Sequence, residues 1–130
     1  MQSAPLAPLV TQSNDAVADA RTLSSSITAA GVAATYDATF EDGGRLRITE
    51  QRADSRNGEY EFRGARLLHY SGGGLSSPDT IELRFNLQGA LELAKAAAGT
   101  VPAEEISAIR ERAQLLRSHA LAQKTNHDHY

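Results

Sequence analysis

The chain has 130 residues, 41% of them hydrophobic and 22% charged, which suits one compact domain and is too short for two ordinary ones. Lys plus Arg number 13 against 16 Asp plus Glu, a formal charge of -3, so there is no global positive field to hold nucleic acid or an anionic membrane. Cysteine is absent, which removes disulfides, thiolate metal sites and cysteine nucleophiles, and no run approaches the roughly 20 apolar residues needed to cross a bilayer.

Residues 2–12 carry Pro5 and Pro8 among small residues, which favours an extended tether over a helix. The order Gln2, Ser3, Ala4, Pro5, Leu6, Ala7, Pro8 resembles the start of a mature bacterial lipoprotein after its acylated cysteine, with Met1 supplied by expression. That resemblance covers about a tenth of the chain and implies a periplasmic protein, held at the outer membrane by a lipid outside this sequence. A native cytoplasmic start with a loose terminus is the alternative. No charged n-region precedes an apolar h-region, so the chain reads as neither a precursor nor a membrane-spanning protein. Basic charge is almost all Arg, with Lys only at 95 and 124, and Ala is abundant, a bias that points to a GC-rich bacterial genome.

The expected organisation is a flexible tether over 1–12, one α+β domain over 13–123 and a disordered tail over 124–130. Asn14 and Asp15 offer a helix cap, and Ala16, Ala20, Leu23, Ile27 and Ala30 follow at helical spacing before Gly31. Ser24, Ser25 and Ser26 are poor helix formers, so this N-terminal helix needs packing to hold it. The period then falls to two. Tyr36, Ala38 and Phe40 alternate with polar residues, as do Leu46 and Ile48, predicting two strands. A two-residue Asp-Gly loop between them would set Phe40 against Arg45 and mix the faces. A three-residue Asp42-Gly43-Gly44 loop, with Gly44 at positive φ, pairs Phe40 with Leu46, Ala38 with Ile48 and Glu41 with Arg45.

A third strand follows with Tyr60 and Phe62 on its apolar side, bent at Gly64 before Leu67, Leu68 and Tyr70. A fourth carries Ile81, Leu83, Phe85 and Leu87 on one side and Glu82, Arg84 and Asn86 on the other. Ala90–Ala98 reads as a helix stopped by Gly99, and a longer one begins near Thr100 and Pro102 with Ile106, Ile109, Ala113, Leu116 and Ala120 as its seam. The fold class is thus α+β: an N-terminal helix, a four-stranded antiparallel meander, and two C-terminal helices packed on one sheet face. Helix-then-meander orders occur in cystatin-like inhibitors and small envelope lipoproteins, a likeness of architecture that carries no function.

The open sheet face would bear Asp37, Thr39, Glu41, Arg45, Arg47, Thr49, Glu59, Glu61, Arg63, Glu82 and Arg84, opposite charges facing one another across strands. Its guanidiniums suit an interface, since planar Arg groups make bidentate contacts. Arg45, Arg47, Glu59, Glu61 and Arg84 are therefore candidate partner-binding residues. Ser71 to Asp79 joins them as a recognition loop through Tyr70, Gly72, Gly73, Gly74 and an apolar tip at Leu75. That loop lacks the Gly-Lys-Ser or Gly-Lys-Thr and following helix of a phosphate cradle. Glu59 with Glu61 lacks an apolar setting to split their pKa values for acid/base work. His69, Ser71 and Asp79 lack a nucleophile elbow, and His127 and His129 are too few for a closed metal site. Arg110, Arg112 and Arg117 are diluted by Glu104, Glu105 and Glu111, so a solvated helix face is expected.

These observations lead to a non-catalytic envelope protein without cofactor or metal, a monomer or homodimer, that binds another protein and no nucleic acid. Its partner would be a toxin, a hydrolase or an envelope component, and membrane contact would come only through an N-terminal lipid. An inhibitor or immunity protein is the most concrete form. A structural subunit of an envelope or secretion machine, and a small ligand-binding domain or hydrolase, are the alternatives.

Overall fold

Strands extend well beyond the four segments that alternation of polar and apolar residues led one to expect. The computed structural model describes residues 21–128 apart from 30, 54–55, 76–78 and 98. The strands are β1 (Arg21–Ala29), β2 (Val32–Glu41), β3 (Arg45–Arg52), β4 (Gly58–Arg63), β5 (Arg66–Gly73), β6 (Thr80–Phe85) and β7 (Leu91–Ala96). One helix, α1 (Ala103–Asp128), follows. Among the described residues every strand pairs antiparallel with its neighbours in chain order, giving a 7-stranded sheet that is an α+β arrangement with α1 on one face.

The N-terminal helix is overturned where the structure describes it, because Arg21–Ala29 is β1, paired residue for residue with β2. Leu23 and Ile27 are four apart, a spacing that keeps two side chains on one face in a helix and in a strand alike. The three serines decide between the two, since they weaken a helix and pair readily in an edge strand. Asn14, Asp15, Ala16, Ala20 and Ala30, with the tether over 1–12, lie outside the described residues.

Ala90–Ala98 is not a helix either; Leu91–Ala96 is β7. The Asn86 carboxamide oxygen accepts the amides of Gln88 and Ala90, both at 2.9 Å, and with Gly89 at φ 90° closes a hairpin that lays the following residues beside β6. A short Ala-rich segment has too few turns to hold a helix unaided, so pairing along β6 prevails. The four-strand meander is likewise corrected to seven strands, partly because Gly64, at φ 58°, does not bend one strand but turns the chain from β4 into β5. Leu87, past the end of β6, is 56% exposed and outside the apolar row.

Two local expectations match the structure. β2 and β3 pair Phe40 with Leu46, Ala38 with Ile48 and Glu41 with Arg45 across the Asp42–Gly44 turn, with Gly43 and Gly44 both at positive φ. The C-terminal helix α1 buries Ile109, Ala113, Leu116 and Ala120, with Ile106 packed beside them. Opposite this seam runs a row through all the strands: Leu23, Ala38, Ile48, Tyr60, Tyr70, Leu83 and Ala94. Ala113 and Ala120 are fully buried small residues in that seam. Each large side chain covered there contributes about 1.5 to 3 kcal/mol of burial.

Candidate functional site

Pairing fixes the open face as well as the covered one. Thr22, Thr39, Arg47, Glu61, His69 and Arg84 form one cross-strand row, and Ser24, Asp37, Thr49, Glu59, Ser71, Glu82 and Lys95 form the next. Toward β1 these rows are hydroxyl-rich; toward β5 and β6 they are charged. Ser24 donates to Asp37, and the Thr22 and Thr39 hydroxyls lie 3.0 Å apart. Arg47 sets Nε at 3.0 Å and a terminal nitrogen at 2.7 Å from one oxygen of Glu41. Arg45 stands 3.8 Å from both Glu41 and Glu61. His69 Nε2 is 2.9 Å from a Glu82 oxygen that Arg84 approaches at 3.6 Å. That hydrogen bond, helped by the charges of Arg84 and Lys95, holds the Glu82 carboxyl below its ordinary range.

The long side chains of Arg45, Arg47, Glu59, Glu61 and His69 wall a hollow of about 480 Å³, and the shorter Thr39 and Thr49 lie between them. Hydroxyls, carboxylates and guanidiniums thus converge on one depression, able to form several directed hydrogen bonds with an incoming polar side chain. Arg45, Arg47, Glu59 and Glu61 are brought together there, and Arg84 lies further along the row, beyond His69. Tyr70 is fully buried on the other face. Gly72 and Gly73 belong to β5, Gly74 is buried, and Leu75 packs against the core with its amide donating to Glu105 at 2.7 Å. The glycine-rich segment is therefore fastened inward at both Gly73 and Leu75.

That fastening belongs to a second constellation, on the covered face, which sequence reasoning missed. Glu50 is fully buried, and one of its oxygens accepts from Arg52 Nε at 2.9 Å and the Tyr60 hydroxyl at 2.7 Å. The other accepts from Arg112 Nε at 2.8 Å. Arg52 also donates to the Tyr60 and Tyr70 hydroxyl oxygens and to the Gly73 carbonyl, while Arg112 reaches the carbonyls of Ala29 and Val32. Tyr70 in turn donates to the Gly73 carbonyl. Burial pushes the Tyr60 and Tyr70 phenols up, with the Glu50 charge adding to it. Burial alone would lower the Arg52 guanidinium, but the two phenols and Glu50 around it hold it above its ordinary value.

Glycine makes room for these groups. A Cβ on Gly58 would stand 2.9 Å from the Tyr70 ring and hydroxyl and 3.0 Å from Arg52, and one on Gly72 would meet the Asn57 carbonyl at 2.3 Å. A signal for the cluster existed: continuing the alternation of Leu46 and Ile48 puts Glu50 and Arg52 on the core side. On α1, Glu105, Ile109, Arg112 and Leu116 fall on one helical stripe.

The remaining candidates separate. The expected solvated face of Arg110, Arg112 and Arg117 is broken up: Arg110 lies over the Phe85 ring, Arg112 is buried, and Arg117 donates to the Gly64 carbonyl. His69 turns to Glu82, and His119 faces the Tyr36 hydroxyl at 2.6 Å. Among the described residues no group of three His, Asp or Glu is arranged to hold a metal ion, and the side chains of His127 and His129 lie outside them. No protein-family model matches the chain, and no curated protein or solved structure matches it.

Proposed function

We propose that this chain is a non-catalytic envelope protein of a bacterium that binds another protein through the open face of β2–β5. Its most concrete form is an inhibitor or immunity protein acting on a toxin or cell-wall hydrolase. The observation that carries this reading is the hollow walled by Arg45, Arg47, Glu59, Glu61 and His69. Arg47 is paired closely with Glu41 and Arg45 stands near both Glu41 and Glu61, so part of the ordering cost on binding is already met. Each exposed pair contributes only about 0.2 to 1 kcal/mol, so exchanging it for a pair with a partner costs little. The envelope location rests on the likeness of Gln2–Pro8 to a lipoprotein lead.

The test is capture from an envelope extract with three immobilised proteins: wild type, Arg45→Glu/Arg47→Glu, and Glu104→Lys on the far side of the molecule. One partner should be retained by wild type and Glu104→Lys and lost from the double variant. Absence of any partner, or equal capture by the double variant, would falsify the reading. For the inhibitor form, deleting the gene should lower survival beside competing bacteria.

A further inference from the structure

The two outer edges of the sheet are built differently. β7 spans 6 residues, carries exposed Glu92 and Lys95, and slips register against β6 at Arg84/Phe85. It then folds back, Ala96 and Gly99 exchanging main-chain hydrogen bonds. Short length, charge and irregular pairing are the devices that keep an edge from recruiting another strand. β1 lacks them apart from Arg21 at its first position. It is 9 residues long and in unbroken register with β2, and Thr22–Thr28 contains no charge, proline or glycine. Among the described residues, no strand pairs with its outer edge.

That edge reads Thr22-Leu23-Ser24-Ser25-Ser26-Ile27-Thr28, the same in both directions apart from the exchange of Leu and Ile. Such symmetry has a physical use, because a two-fold interface sets each residue of one copy against its reflection in the other. With the axis at Ser25, antiparallel pairing sets Thr22 against Thr28, Leu23 against Ile27 and Ser24 against Ser26. The faces agree as well: Leu23 and Ile27 pack toward the core, while Thr22, Ser24, Ser26 and Thr28 are exposed. A slip of one residue would set Leu23 against Thr28 and place opposite faces side by side.

We propose that β1 pairs with β1 of a second copy of this chain, antiparallel about Ser25, joining the two sheets into one. The paired segment is bounded at both ends. Arg21 falls opposite Ala29, so no like charges meet at either end. The dimer sets two open faces side by side on one continuous sheet, so a partner with repeated sites meets two hollows at once and gains avidity without new contacts.

Light scattering across a concentration series, with hydrogen exchange on the same samples of the full chain, tests this. The expected result is a dimer whose Thr22–Thr28 amides become protected as it forms. Ser24→Lys/Ser26→Lys sets Lys opposite Lys twice and should weaken the dimer by about tenfold or more while leaving the circular dichroism spectrum unchanged. A chain that stays monomeric at millimolar concentration overturns the proposal. So does a dimer that tolerates the double variant, or a β1 edge protected independently of concentration.

Discussion

On the open face Arg47 grips Glu41 at 2.7 Å with 61% of its side chain exposed, while on the covered face Arg112 grips Glu50 at 2.6 Å with 5% exposed. The distances are nearly equal, yet the consequences differ. Water screens the first pair and can replace either partner, so its net contribution is small. The second has no water to fall back on, and each group was stripped of hydration to enter the core. Glu50 tolerates this because its neighbours supply donors from β3, β4 and α1. One face is therefore free to exchange its ion pairs, and the other is bound to keep them.

The largest effect that could break this contrast comes from removing one buried partner. Arg112→Ala or Glu50→Ala should lower unfolding free energy by about 3 to 5 kcal/mol in guanidinium titration, because the first strips buried Glu50 of one of its two guanidinium partners and the second leaves both guanidiniums buried without their carboxylate. Replacing Glu50, Arg52 and Arg112 together, as Glu50→Leu/Arg52→Met/Arg112→Met, should cost far less than either single change. If the triple variant is as unstable as the single ones, packing and not charge governs the cluster. Gly58→Ala should cost about 1 to 3 kcal/mol, since its Cβ would press on Tyr70 and Arg52.

Tyr60→Phe should cost about 1 to 3 kcal/mol by leaving Glu50 and Arg52 short of one partner each. It also sharpens the pH behaviour. In the folded protein the Tyr60 and Tyr70 phenols are raised, first by burial, so the folded state keeps their protons when the unfolded chain has begun to lose them. Stability from this source is complete below the ordinary phenol value of 10.0 and declines as pH rises above it. Thermal unfolding followed between neutral and strongly alkaline pH should show that decline, less steeply in Tyr60→Phe.

How much of this was legible follows from the same contrast. The open face could be read because Arg45, Arg47, Glu59 and Glu61 alternate with apolar residues, and the β2–β3 register follows from matching Phe40 with Leu46. Ile109, Ala113 and Leu116 showed their seam through steps of three and four. The covered cluster hid because Glu50, Arg52 and Arg112 are charged residues at core positions, and charge reads as solvent exposure until its partners are known. β1 and β7 hid for another reason: edge strands rich in Ser or Ala are held by the neighbour they pair with, and single-strand periodicity does not contain that neighbour.

The smallest effects belong to the open face. Glu41→Gln should change stability by about 0.2 to 1 kcal/mol, and the difference should shrink in high salt. Glu82 gives the finer test. Its carboxyl is lowered, chiefly by the hydrogen bond from His69, so the folded state releases this proton more readily than the unfolded chain does. The associated stabilisation is present above the ordinary carboxyl value of 4.5 and fades as pH falls through the lowered folded value. Carboxyl carbon shifts followed by NMR should therefore place the Glu82 midpoint below that of an unfolded Glu, and His69→Ala should move it back up. An unmoved midpoint would mean that His69 and Glu82 lie side by side without a shared proton, and that the exposed rows are even looser than their distances imply.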